Sequence, residues 1–362
     1  MKQYVIIGNG VAAVGCIEGI RSLDNSNKII VVSKEKHAVY GRPLISYYLE
    51  GKTDLERMKY RSDDYYEKMD CEVLYGKSAI KIDNENKTVL LDDNTVIPYD
   101  TVCVATGSRP FVPTFEGLDK VENKFSFMTL DDECASIMQA HLEANGIRFM
   151  LEDSVASFKK NKAVMQSGKE VDFDILVLAI GVRANTKLVS EIGGEVNKGI
   201  IVNNRMETTV KDVYSAGDCT EGEDISLGNK RVLAILPNAY MQGKCAGINM
   251  AGGNKMFDNA IPMNSIGFFG LHAMTAGSYF NENDGGEVYE EKTENTLKRM
   301  FTRNGLLTGY ILIGNTDRAG IYTALIREKT PLNTIDFDML KKTATFSAFS
   351  EESRRNKFGG VV

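Results

Sequence analysis

The opening residues restrict this chain more than any other stretch. Tyr4-Val-Ile-Ile-Gly8-Asn-Gly10-Val-Ala-Ala13 is a short apolar strand that runs straight into a glycine turn and then into a helix. Gly8-x-Gly10-x-x-Ala13 is a spacing suited to a dinucleotide. Gly8 permits the tight turn, Gly10 lets the backbone approach a pyrophosphate, and Ala13 is small enough for the helix to lie close on the strand. The phosphates of such a ligand rest on the amides at the helix N-terminus. A second apolar strand, Ile29 to Val32, follows and ends near Glu35, placed to hydrogen-bond a ribose hydroxyl. The fold expected from this unit is α/β.

Composition narrows the class. A length of 362 residues with 43% hydrophobic side chains allows two to three domains with real cores. A net charge of -6 argues against nucleic acid as a partner. The first strand begins within four residues of the start, leaving no room for a signal peptide, and no apolar run approaches the roughly 18 residues that a membrane span needs. A cytoplasmic protein with no membrane partner is expected. Six cysteines (Cys16, Cys71, Cys103, Cys134, Cys219 and Cys245) show no close CxxC or CxxxxC spacing, and His37, His141 and His272 are scattered. No metal site and no redox-active disulfide of the close-spaced kind is expected.

The chain also contains a duplication. Pro98-Tyr-Asp-Thr-Val-Cys-Val-Ala-Thr-Gly-Ser-Arg-Pro110 is an apolar strand delivered into a glycine turn, and Val171 to Ala184 repeats it, with Asp174, Gly181 and Arg183 matching Asp100, Gly107 and Arg109. Upstream, an expected helix from Glu133 to Asn145 and strand from Ile147 to Leu151 match the helix and strand at 62–75. The second copy is incomplete. Nothing between Ser126 and Glu133 supplies the strand, glycine loop and helix found at the start of the chain. Such a loss leaves the apolar sides of strands 147–151 and 175–180 without cover.

Beyond the repeat, Thr208 to Cys219 is a short apolar strand ending in Gly217-Asp218, where ligands bind in open α/β sheets. Asp218 suits a ribityl hydroxyl. Pro237 to Met250 reads as a helix carrying small residues, Ala239, Gly243, Ala246 and Gly247, for close packing. Tyr40 to Ser46 is a turn-like segment that can reach back over a ligand. From about residue 254 short strands take over, at 265–269, 273–278, 287–290, 297–303 and 306–313, then a helix from Arg318 to Glu328. The residues after Lys342 are polar and are expected to be loosely held.

With these residues in view, the chain resembles the two-dinucleotide-domain flavoprotein reductases. Within them it is most similar to the NADH:rubredoxin reductases and the flavin part of NAD(P)H nitrite reductases. The resemblance rests on Gly8-Asn-Gly10, Tyr40-Gly-Arg-Pro43, Ala105-Thr-Gly-Ser-Arg-Pro110, Ala179-Ile-Gly-Val-Arg183, Tyr214-Ser-Ala-Gly-Asp218 and Leu236-Pro-Asn-Ala-Tyr240. It implies an FAD/NAD(P)-binding fold with an incomplete second dinucleotide domain and a C-terminal α+β interface domain. The implied boundaries are 1–117 with 172–253 for the FAD domain, 118–171 for the remnant, 254–335 for the interface domain and 336–362 for a polar tail. FAD is the implied cofactor, with Gly8, Gly10 and Ala13 at its pyrophosphate, Glu35 at the adenosine ribose and Asp218 at the ribityl chain. Arg42, Pro43, Ala105, Thr106, Gly107, Gly217 and Ala239 complete the set. No side chain is expected to act as a catalytic nucleophile.

Three departures qualify the resemblance. The second glycine loop is missing, so NAD(P)H is expected to bind weakly. No cysteine lies in 38–50, where single-cysteine members carry theirs, and none follows Cys245, so iron-sulfur and sirohaem modules are not expected. The implied activity is an FAD-dependent oxidoreductase passing electrons to a rubredoxin-like protein or a small acceptor, fed by NAD(P)H or by a donor partner, with a homodimer allowed. The alternative is a flavin-binding electron-carrier subunit, or a truncated form of a full reductase, without NAD(P)H turnover of its own.

Overall fold

A computed structural model describes residues 2–112, 132–178, 180–280, 282–293 and 295–358. The chain divides into two compact units, Met1–Ser108 with Ala184–Met263 and Thr323–Thr330, and Arg109–Arg183 with Asn264–Tyr322 and Pro331–Val362. Helix Asp132–Ala144 and the C-terminal strands share the second unit. Among the described residues no helix is long and apolar enough to cross a membrane.

The first unit is built on a five-stranded parallel sheet. Its order is Val213–Ser215, Thr101–Val104, Gln3–Ile7, Lys28–Ser33, Cys71–Tyr75. Side chains alternate along the central strands, as a sheet covered on both faces requires. Tyr4, Ile6, Ile29 and Val31 point into a core shared with helices Val11–Arg21 and Leu236–Met250. Val5, Ile7, Ile30 and Val32 enter the opposite core, shared with Ile82, Val89 and Ile97 of a three-stranded antiparallel sheet. The two helices meet through glycines. A Cβ on Gly243 would stand 2.0 Å from the Ala12 carbonyl oxygen, and one on Gly15 2.2 Å from that of Tyr240.

In the second unit five antiparallel strands follow the order Met263–Phe268, Leu271–Gly277, Leu306–Ile313, Leu297–Arg303, Glu287–Lys292. These are the strands expected from the alternation after residue 254. Helix Asp132–Ala144 forms as expected, and its Met138 packs against Ala273, Leu297, Phe301 and Ile311 of this sheet.

Three expectations are corrected. Residues 147–151 form no strand, and among the described residues of the apolar run 171–184 only the ends, in Glu170–Asp172 and Val182–Ala184, are strands. Leu151, Ile175 and Val177 are 63%, 62% and 54% exposed. A parallel strand needs neighbours to satisfy its backbone groups, and among the described residues no strand pairs with 147–151 or 175–180. The tail is not loose throughout. Asp336 caps helix Phe337–Lys342 by accepting from the Met339 amide, Tyr322 donates to the Leu340 carbonyl at 2.8 Å, and Leu340, Ala348 and Phe349 are buried. Those three apolar side chains anchor a segment whose average composition is polar.

Candidate functional site

Four neighbouring parallel strands end at one edge of the first sheet, and each delivers expected site residues there. Gly8 and Gly10 follow Gln3–Ile7, and Glu35 follows Lys28–Ser33. Ala105, Thr106 and Gly107 follow Thr101–Val104, while Gly217 and Asp218 follow Val213–Ser215. Carboxyl ends of parallel strands are where open α/β sheets bind ligands.

The glycine loop is pinned at its start and open at its end. The Gly8 amide donates to the Val32 carbonyl at 2.8 Å, and its φ of +112° belongs to glycine. A Cβ on Gly8 would come within 2.2 Å of the Ala105 carbonyl oxygen. Gly10 is the N-cap of helix Val11–Arg21 and offers no capping side chain; a Cβ there meets nothing within 4 Å. Ala13 is fully buried, with the helix resting close on the sheet.

Around this loop the other residues hold one another. Thr106 donates its hydroxyl to the Asn185 carbonyl at 3.0 Å, and the Asn185 side-chain amide returns a bond to the Thr106 carbonyl at 2.8 Å. Gly107, at φ +63°, has open space where a Cβ would stand. The Gly217 amide donates to the buried Gln242 side chain at 2.9 Å, and Ala239 lies beside Gly217. Pro43 opens the short turn of helix Arg42–Leu44. Glu35 is ion-paired with Arg42 at 2.8 Å, and Arg42 also donates to the Tyr40 hydroxyl at 3.0 Å. Burial works against the Arg42 charge, yet Glu35, Tyr40 and Asp218 together raise its pKa. Asp218 itself is pushed up from the usual carboxylate range by burial, with Arg42 opposing.

The open sides of Gly10 and Gly107 and a half-buried carboxylate with no hydrogen-bond donor among the described residues are the features a dinucleotide with hydroxyls and a diphosphate would use. Sequence reasoning missed Asn9, Tyr66, Asn185 and Gln242, which hold the loops from behind. Only Asn9 lay inside a recognised motif. Cys16, Cys103, Cys219 and Cys245 are buried free thiols, and no group of three or more metal-ligating side chains occurs among the described residues.

Residues 2–128 and 120–243 match the model of the pyridine nucleotide-disulphide oxidoreductase family. The chain belongs to that family. Members of this kind are FAD-dependent with NAD(P)H as substrate, and family membership gives this chain FAD as its cofactor. The chain is 27% identical to the nitrite reductase [NAD(P)H] of Bacillus subtilis, covering 92% of this chain but only 48% of that protein. It therefore spans about half the length of that relative. It is 28% identical to the epsilon subunit of the NADH-dependent phenylglyoxylate dehydrogenase of Aromatoleum evansii, over 92% of this chain and 93% of that one. With the NADH-rubredoxin oxidoreductase of Clostridium acetobutylicum it shares 23% identity over 87% of this chain and 92% of that protein. The solved structure of that enzyme has a TM-score of 0.68, covering 90% of this chain and 95% of that one. The nitrite reductase comparison runs over 393 positions, whereas 92% of 362 residues is about 333. About 60 of the compared positions therefore have no counterpart in this chain.

The Asp218 carboxylate gives the site a pH dependence. In the ligand-free fold its raised pKa means that stability falls as pH rises through that value, because ionisation is then opposed by burial. Ribityl hydroxyls of FAD donating to Asp218, as the resemblance implies, would favour the ionised form. FAD affinity is therefore expected to be greatest above the titration of Asp218 and to fall as pH drops through it. In Asp218→Ala the affinity is expected to fall about 10- to 100-fold, the worth of hydrogen bonds to a charged group, and to lose that acid limb. FAD titrations of the two apoproteins across pH test this; an unchanged acid limb in the variant would assign the titration elsewhere.

Proposed function

We propose that the chain is a cytoplasmic FAD-dependent oxidoreductase that takes electrons from a reduced pyridine nucleotide and passes them to a small iron-sulfur protein of the rubredoxin kind. The observation that carries the proposal is the convergence of four strand ends on one edge, where the Asp218 carboxylate has no hydrogen-bond donor among the described residues. Gly8, Gly10 and Ala13 would hold the diphosphate, Glu35 the adenosine ribose and Asp218 the ribityl chain. Bound FAD supplies the two-electron chemistry, while the protein supplies binding, orientation and electrostatics. The Glu35–Arg42 pair steadies the segment leading to Pro43 and keeps a positive charge near Asp218. The acceptor class follows the similarity to a rubredoxin oxidoreductase.

The missing glycine loop weakens the nucleotide's hold without removing access to the flavin. NADH is expected to bleach the flavin anaerobically in a stopped-flow instrument, with saturation, and with weaker apparent affinity than an intact second loop would give. A second reading has its own support, since the relative matched along 93% of its length is named as a subunit. In that reading the chain carries electrons delivered by a partner protein. Slow, non-saturating reduction by both NADH and NADPH would sink the nucleotide-fed proposal and leave the carrier subunit.

A further inference from the structure

The residue between the two glycines is held from outside the strand-helix-strand unit. Tyr66, on the short helix Tyr65–Lys68, places its hydroxyl 2.6 Å from the Asn9 side-chain oxygen. An amide oxygen only accepts, so the Tyr66 hydroxyl is the donor and its hydrogen goes to Asn9 Oδ1. Burial pushes the Tyr66 phenol up to about 12, so this hydrogen stays in place at neutral pH. Tyr65 and Tyr75 meet the Tyr66 ring edge-on, with centroids 5.1 Å and 6.5 Å away, and fix its direction.

With Oδ1 committed to Tyr66, Asn9 Nδ2 is closed off from water and has no hydrogen-bond partner among the described residues. The Tyr66 hydroxyl is therefore the one hydrogen-bond hold on this side chain among those residues. The neighbouring Gly10 is the place where the loop is open. We infer that Tyr66 and Asn9 form a positioning pair that presets the glycine loop for a diphosphate, Tyr66 holding the Asn9 side chain and with it the backbone between Gly8 and Gly10. The inference rests on the proposed FAD site and adds two residues to it.

The test is a double-mutant cycle on flavin-stripped apoprotein, read by FAD titration through flavin fluorescence and by ADP titration in a calorimeter. Tyr66→Phe removes only the hydroxyl and is expected to weaken FAD and ADP alike, by about tenfold, the scale of one lost hydrogen bond. Asn9→Ala is expected to weaken both ligands at least as much. In the Asn9→Ala background Tyr66→Phe should change neither affinity further, because the hydroxyl acts through the amide. A full second loss in that background would overturn the pairing, as would unchanged ADP affinity in Tyr66→Phe. Circular dichroism of each apoprotein separates these results from a general loss of fold. Parent apoprotein that takes up no FAD would overturn the FAD site and this inference together, whereas FAD uptake insensitive to Tyr66→Phe overturns the inference alone.

Discussion

Gly243→Ala is expected to lower the melting temperature of the apoprotein by about 10 °C or to prevent folding altogether. The added methyl would lie 2.0 Å from the Ala12 carbonyl oxygen and 2.8 Å from its carbon, both rigid backbone atoms. No rotamer change relieves such a clash. The helix must back away by more than about 1 Å to reach ordinary contact distance. It cannot tilt about Gly243 either, because Gly247 stands in the same relation to the Cys16 carbonyl, at 2.0 Å, and Gly19 to that of Lys244, at 2.4 Å. Separation would open the core between the helices, where Cys16, Ile17, Cys245, Ala246 and Met250 are buried. Overpacking against side chains costs about 1–3 kcal/mol, and a backbone clash lies at or above the top of that range. At about 2–4 °C per kcal/mol for a unit of this size, the shift reaches about 10 °C. Gly320→Ala is the control, since a Cβ there meets nothing within 4 Å and a change of less than about 0.5 kcal/mol is expected. Circular dichroism melts decide the matter, and a Gly243→Ala protein melting with its parent would show that the helix contact is looser than described.

That contact illustrates what the sequence made legible. The glycine loop, its flanking strands and the small residues of Pro237 to Met250 were readable because each reflects a local steric demand. The helix that those small residues pack against was not, since pairing across more than two hundred residues leaves no periodic trace. The same limit hid Tyr66 and Gln242, whose roles depend on which distant loop their polar ends meet. The opposite error occurred at 147–151 and 175–180. Their apolar runs read as strands, but strand formation needs neighbours, and no described strand pairs with them. Composition likewise misjudged the residues after 342, where Ala348 and Phe349 are enough to anchor a polar segment.

Gly10→Val should give the opposite result to Gly243→Ala, a folded protein that holds no flavin. Gly10 has a φ of -96°, which valine adopts without strain, and a Cβ there meets no protein atom within 4 Å. Its place as N-cap limits the loss of stability to about 1 kcal/mol, because glycine already contributes no capping side chain. The valine methyls instead occupy the space through which a diphosphate approaches the loop backbone. Excluding that approach removes the amide contacts at the helix N-terminus along with the charge-dipole attraction, so a loss of more than about 100-fold in FAD affinity is expected. The purified variant should be colourless, melt close to the parent apoprotein and fail to quench added flavin fluorescence. Gly8 sharpens the comparison, since a side chain there would strike the Ala105 carbonyl at 2.2 Å and damage the fold before any ligand arrives. Two glycines two residues apart are thus expected to give separate results, a damaged fold at Gly8 and a lost cofactor at Gly10. Gly10→Val protein that retained the parent's visible spectrum would mean the diphosphate does not pass over Gly10, and the strand-end site would need a different ligand orientation.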